Sequence, residues 1–397
     1  MTAAADLAAP RDVEAGNAGR DQWARDVMTI RVGLTEAHGM AKEVSRFPAD
    51  GVQYSFLRPS TRPRVGMTGS AIKGSVGHYE ADDVDLIEAV LSPIRTNSRW
   101  VYSLAHVAEA CGFDVDGVAA PRAVRVAKIK DLISRQNFKQ LMFWSHAGHH
   151  TLASYAGIDP SVLTGKVTVV KPAVRRVPDD LVGYRRRDLR LLFSGEFFRK
   201  GGVHVVDAFE RARKRYPGIS LTVCCDERTD FHTSNRSLRT EYLNKVNTLP
   251  GIINKGRIAR EQLMTEVYPN TDIYVLPTYV ETFGMAILEA MAFGIPVIST
   301  NHFAIPEMIQ DGVSGVLIDT TRFHCEQLFS DYTVRDIPSD FREYMTDAVF
   351  HQMCRLIESL ELRKSIGQAA LDVARTKFSF DRRNATMREI YRQALAD

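Results

Sequence analysis

The sequence predicts an α/β protein made of two doubly wound domains. Three observations carry this. The chain has 397 residues, more than one hydrophobic core usually organises. Its second half alternates short apolar runs with helical periodicity, the pattern of a parallel sheet covered on both faces. A polar, charged stretch around 175–188, punctuated by Pro178 and Gly183, separates that half from a first half that is also α/β but less regular.

Residues 1–25 are Ala-rich and interrupted by charges, without the basic-then-apolar order of a signal peptide, and are expected to be a mobile tail. The first domain is expected over 26–175. Its strands are VQYSFL (52–57), DLIEAV (85–90), RWVYSLAH (99–106), KQLMFWS (139–145) and KVTVVKP (166–172). A basic helix with Arg122, Arg125, Lys128, Lys130, Arg135 and Lys139 lies between the third and fourth. Residues 176–188 are the linker and 189–379 the second domain. There LRLLFS (189–194), ISLTVC (219–224), 252–254, DIYVLP (272–277), PVIST (296–300) and GVLID (315–319) read as strands. Helices are expected at 203–215, 235–249, 260–268 and 284–293, with a terminal helix over 380–397.

Composition excludes several classes. Apolar residues make up 45% and charged residues 25%, which is ordinary for a soluble globular chain. No apolar run approaches the ~20 residues of a membrane span. The five cysteines fit neither a zinc site nor a disulfide framework, so reduced thiols and a cytoplasmic setting are expected. A net charge of +3 argues against a dedicated nucleic-acid binder.

Two segments carry chemistry. After the strand at 189–194 comes Gly195 and the loop EFFRKGG, which places Arg199, Lys200 and Gly201 at the carboxyl end of a strand and the start of a helix. Such a place attracts phosphate through free N–H groups and the helix dipole, though a plain glycine turn with solvated cations gives the same letters. After the strand at 272–277, Glu281 and Glu289 bracket TFGMAIL. Glu281 falls in the loop; Phe283, Gly284 and Met285 open the helix; Glu289 lies more than a turn deeper. A carboxylate can accept two hydrogen bonds from vicinal hydroxyls, which suits a sugar or a ribose. The bland alternatives are a helix-capping Glu281 and a Glu289 paired with a cation.

Both motifs occur in order on one sheet, followed by EMIQDGVSGVLID. From about 189 to 319 the chain resembles the donor-binding domain of family-4 retaining glycosyltransferases, which have the GT-B fold of two Rossmann-like domains facing a cleft. The resemblance implies that Glu281 hydrogen-bonds the transferred sugar, that Phe283, Gly284 and Met285 offer backbone to diphosphate and sugar, and that Glu289 holds the ribose. It implies that Lys200 neutralises the leaving diphosphate, and that Arg257 and Ile258 line the nucleobase. Glu196 departs from the family pattern, which has Arg directly after the glycine; Arg199 is the candidate replacement cation. His106 ends a strand where many members place a histidine near the sugar, and a packed core or surface histidine is the equal alternative.

The first half resembles the family weakly. Its nearest glycine-rich loop is at 65–77. The histidines of SHAGHH (145–150) lack metal-ligand spacing, and the resemblance implies no cofactor and no required metal. The basic helix, taken over 122–139, either packs its apolar side on the sheet or makes peripheral contact with an anionic membrane, on its inner face; packing is favoured because aromatic anchors are few. The implied function is retaining transfer of a sugar from a UDP- or GDP-sugar to a hydroxyl acceptor, in glycan, glycolipid or polysaccharide synthesis. The alternatives are a non-catalytic module of this fold, or a phosphorylase or epimerase.

Overall fold

The protein is described from a computed structural model that covers residues 29–37, 39–60, 76–110, 121–185, 187–329 and 334–396, and structural statements below refer to these residues. The expected tail, most of the loop at 65–77 and Cys111 lie outside them.

The first domain is built on six parallel strands: β1 (Ile30–Leu34), β2 (Val52–Phe56), β4 (Leu86–Val90), β6 (Trp100–Leu104), β7 (Phe138–Phe143) and β8 (Val167–Val169), in the order β2-β1-β4-β6-β7-β8. β3 (Gly77–His78) and β5 (Ile94–Arg95) form a small parallel ribbon beside it. The helices are α1 (Gly39–Arg46), α2 (Val107–Ala110), α3 (Arg122–Ser134) and α4 (His146–Ser154).

β1 corrects the sequence reading, which does not assign it. The run IRVGL is short and broken by Arg31 and Gly33, so it shows little apolar continuity. Yet Val32 and Leu34 are fully buried, and the strand sits between β2 and β4. β1 is followed in the chain by α1, which opens at Gly39, so the glycine-rich segment at 65–77 comes after β2 and not after the first strand.

In α3, Val126, Ile129, Leu132 and Ile133 are buried against the sheet, while Val124 is half exposed. The helix's apolar side is used for core packing, as its modest stripe suggests. No described helix is long and apolar enough to cross a membrane.

The second domain repeats the plan with β9 (Arg190–Ser194), β10 (Ser220–Cys224), β11 (Ile252–Asn254), β12 (Ile273–Leu276), β13 (Val297–Thr300) and β14 (Val316–Ile318) in the order β11-β10-β9-β12-β13-β14. All five pairings are parallel. Its helices are α5 (Gly202–Arg215), α6 (Arg236–Thr248), α7 (Arg260–Gln262), α8 (Met285–Ala292), α9 (Ile305–Met308), α10 (Cys325–Leu328), α11 (Ser339–Glu358) and α12 (Leu360–Lys377), followed by α13 (Phe380–Ala396). The helix expected at 260–268 is irregular. α7 gives way to a π turn at Leu263–Val267 and a 3₁₀ turn at Tyr268–Asn270, where Pro269 has no N–H to continue an α ladder. α11 and α12 fill a stretch to which the sequence reading assigns nothing.

α13 returns to the first domain. Met387, Ile390 and Tyr391 share a core with Val32, Leu34 and Val101 on the face of the first sheet that α1 also covers. In the second sheet the chain leaves β9 on one side for β10 and comes back on the other side as β12. The loops after β9 and β12 thus flank a topological switch point, the usual ligand crevice of an open parallel sheet.

Candidate functional site

Those two loops are stitched together. The Tyr279 N–H donates to the Arg199 carbonyl at 3.0 Å. Gly201 caps α5 at φ +77°, and a Cβ there would lie 2.2 Å from the Pro277 carbonyl oxygen, so only glycine allows the approach. Gly284 caps α8 at φ +102°. Neither helix has a side-chain cap, so both present first-turn backbone dipoles at the crevice, a setting that favours an anion.

Lys200 and Glu281 meet across the switch point. The ammonium donates to the Glu281 carboxylate at 2.7 Å and to the Val280 carbonyl at 3.0 Å, and the Thr282 N–H donates to the other carboxylate oxygen at 3.1 Å. Burial pushes the Glu281 carboxyl up. The Lys200 charge and the hydrogen bonds from Lys200, Thr282 and Phe283 outweigh it and hold the group below the usual carboxylate range. Glu281 is therefore an ionised acceptor fixed in place by its neighbours.

Glu196 is engaged one turn earlier. It pairs with Arg199 at 2.5 Å, an i,i+3 ion pair in the loop. Gly195 is exposed at φ +102°, with its N–H donating to the Cys224 carbonyl at 3.2 Å. Arg257 is exposed and Ile258 half-buried, on the loop after β11.

Glu289 is buried under α8 and faces α7. Arg260 Nε donates to it at 2.6 Å and the Tyr268 hydroxyl at 3.2 Å. Burial pushes its carboxyl up, and Arg260 opposes this without cancelling it. Arg260 also reaches the first domain, where Nη1 lies 2.7 Å from Glu43 on α1. Glu43, itself buried, takes two hydrogen bonds from Arg175 at 2.9 and 3.1 Å, and Arg175 takes Glu261 at 2.8 Å. One ionic network thus joins α1, the inter-domain crossing and Glu289.

His106 sits at the seam between the domains. Its ring stacks on Phe303, from the loop after β13, at 5.3 Å, and meets the edge of Tyr155 at 5.5 Å. Its Nδ1 accepts the Ala108 N–H at 2.9 Å, which in the neutral ring puts the proton on Nε2. Phe283 is buried with its ring edge-on to Trp144 of the first domain, and Met285 packs in cores of both domains. Glu307, in the EMIQDGVSG segment, accepts the His146 and Ala147 N–H groups at 3.0 and 2.8 Å, so the second domain caps α4 of the first.

The structure thus brings Lys200 to Glu281, ties Glu196 to Arg199 and Glu289 to Arg260, and places His106 at the seam. The sequence reading missed Arg260, Glu43, Phe303 and Glu307. Each has its partner in the other domain, and although Glu307 opens the segment EMIQDGVSGVLID, no local pattern marks any of these contacts.

A model of the glycosyl transferases group 1 family matches residues 183–325, the part that holds both loops. The matched stretch runs from the end of the linker through β14 to the start of α10. A D-inositol 3-phosphate glycosyltransferase of Paenarthrobacter aurescens is 26% identical over 245 residues, 60% of this chain and 51% of that protein. The protein of the same description from Corynebacterium kroppenstedtii is 41% identical over 196 residues, 46% of this chain and 43% of the relative. The chain spans about half the length of the curated relatives it matches. Among solved structures, Anabaena HepE in complex with UDP and glucose has a TM-score of 0.58, covering 91% of this chain and 98% of that one at 13% identity. The two domains together have the GT-B fold.

Proposed function

We propose that the protein is a retaining glycosyltransferase that moves a sugar from a nucleoside diphosphate sugar, a UDP- or GDP-sugar, to a hydroxyl acceptor. The observation that carries the reading is the Lys200–Glu281 pair at 2.7 Å between two glycine-capped helix starts. A diphosphate placed there meets one ammonium and two sets of backbone dipoles, and a sugar beside it meets an ionised carboxylate.

The bond from the anomeric carbon to the leaving phosphate oxygen breaks. The bond to the acceptor oxygen forms on the same face, and the acceptor proton passes to the leaving phosphate. The protein then needs no nucleophile. Lys200 stabilises the charge that grows on the diphosphate, and Glu281 orients the sugar and offsets positive charge near the anomeric carbon. Glu289 serves the ribose once a ligand hydroxyl competes with Arg260. His106, packed on Phe303 at the seam, contacts the transferred sugar in this reading.

A second reading, a non-catalytic nucleotide-sugar binder, has one observation in its favour: Glu196 neutralises Arg199 within the loop. Melting temperature against a panel of nucleoside diphosphates and nucleotide sugars tests the shared part, since a ligand that binds only the folded state raises it. A shift with one nucleoside diphosphate that is lost in Lys200→Ala supports the site; no shift with any member of the panel removes both readings.

A further inference from the structure

A pocket of about 470 Å³ lies away from both donor loops, between edge strand β8, α4 and the junction of α12 with α13. Its wall carries Lys171, Lys377, Arg382, Arg383, His146 and His149, and no carboxylate. Lys377 and Arg382 are exposed, and neither they nor Lys171 has an ion pair among the described residues. Lys171 lies over the Phe378 ring at 5.4 Å, which positions its charge without neutralising it. Glu307 touches the backbone of His146, but its oxygens are engaged by the His146 and Ala147 N–H groups.

Arg383 supplies a second, independent observation. It is only 7% exposed, and its Nη1 is buried with no hydrogen-bond partner. Its Nη2 lies 3.9 Å from Glu88 Oε1, beyond hydrogen-bond distance, while the Tyr391 hydroxyl donates to the other Glu88 oxygen at 2.5 Å. A buried guanidinium with an unspent donor is costly unless an anion shares the space.

We propose that this pocket is a second ligand site, for a small molecule bearing more than one phosphoryl charge. The volume is that of a small-molecule site rather than of a single ion. The hydroxyls of Thr168, Ser379 and Thr386 on the same wall suit an oxygen-rich ligand, and no Phe, Tyr or Trp lines it to stack a base. The wall joins β8 of the first sheet to the end of α12, so the bound anion holds the two domains in one relation. The site is independent of the donor reading.

The test is calorimetric titration of the full chain with inorganic pyrophosphate at constant ionic strength. Pyrophosphate also suits the donor crevice, so the wild type is compared with Lys200→Ala, with Lys377→Glu/Arg382→Glu, and with Lys214→Glu/Lys364→Glu, which reverses two exposed charges elsewhere. All replaced groups are at or near the surface, and melting temperature reports folding. Lys200→Ala is expected to keep a pyrophosphate site. The pocket reversal is expected to weaken that site by about tenfold or more, as loss of charge-assisted bonds does, while the control pair leaves it unchanged. Loss of all binding in Lys200→Ala, equal loss in the control pair, or an unaffected pocket reversal overturns the proposal.

Discussion

Replacing Arg260 by Ala removes the cation that Glu289 and Glu43 share. Glu43 keeps Arg175 at 2.9 Å, so its loss is small. Glu289 keeps only the Tyr268 hydroxyl, at 3.2 Å. Breaking a buried ion pair from one side costs about 3–5 kcal/mol. The Arg260 side chain is 29% exposed, which lets some solvent in and brings the expected cost to about 2–3 kcal/mol. The cost depends on pH. Burial already raises the Glu289 carboxyl and Arg260 opposes the rise, so the variant's carboxyl moves further up. A carboxyl with a raised folded-state pKa favours folding in its protonated form. That contribution is fully present below the unfolded pKa and is lost as pH climbs through the folded value. Arg260→Ala is therefore expected to melt close to wild type near pH 5 and progressively below it towards pH 8. Adding Glu289→Gln, which leaves no charge to bury, should recover most of the loss at high pH. Melting curves of the four proteins of this cycle across that pH range provide the assay. A destabilisation that is independent of pH and not rescued by Glu289→Gln would refute the reasoning, because the cost would then not come from a stranded carboxylate.

Other expectations follow from single contacts. Gly201→Ala puts a Cβ 2.2 Å from the Pro277 oxygen at φ +77°, and should cost about 2 kcal/mol or more and abolish nucleoside diphosphate binding, measured by melting and titration. Glu196→Gln releases Arg199 from its 2.5 Å pair and should tighten nucleoside diphosphate binding by about threefold to tenfold in titration calorimetry. Glu307→Ala leaves the Ser145 cap of α4 but removes the acceptor of its first two N–H groups, and should cost about 1 kcal/mol, seen as faster hydrogen exchange at the amides of His146 and Ala147.

The donor loops were legible because their logic is local. Gly195, Lys200 and Gly201 follow one strand, Glu281 and Gly284 follow another, and the alternating pattern fixes that both strand ends lie on one edge. What the letters could not show is who occupies each charge. Glu196 reads as a misplaced acid beside a phosphate site, and the fold spends it on Arg199. Glu289 reads either as a ribose acceptor or as the partner of a cation, and the fold pairs it with Arg260, whose other partner is Glu43 in the other domain. The two Arg260 pairings span long sequence distances and leave no periodic trace. β1 escaped for a different reason: its burial comes from neighbours on both sides in the sheet, and IRVGL alone is too short and too mixed to signal it. The mixed α, π and 3₁₀ segment around Pro269 likewise has helical periodicity without being one helix.

The most direct test of the central claim is the anomeric configuration of the sugar that the purified protein releases from a nucleotide sugar, followed by proton NMR at early times with water as the acceptor. The account expects a free sugar with the donor's configuration, released together with the nucleoside diphosphate, and no release in Lys200→Ala or Glu281→Ala assayed at a temperature where melting curves show both variants folded. An inverted sugar, or release at the wild-type rate in both variants, would contradict it.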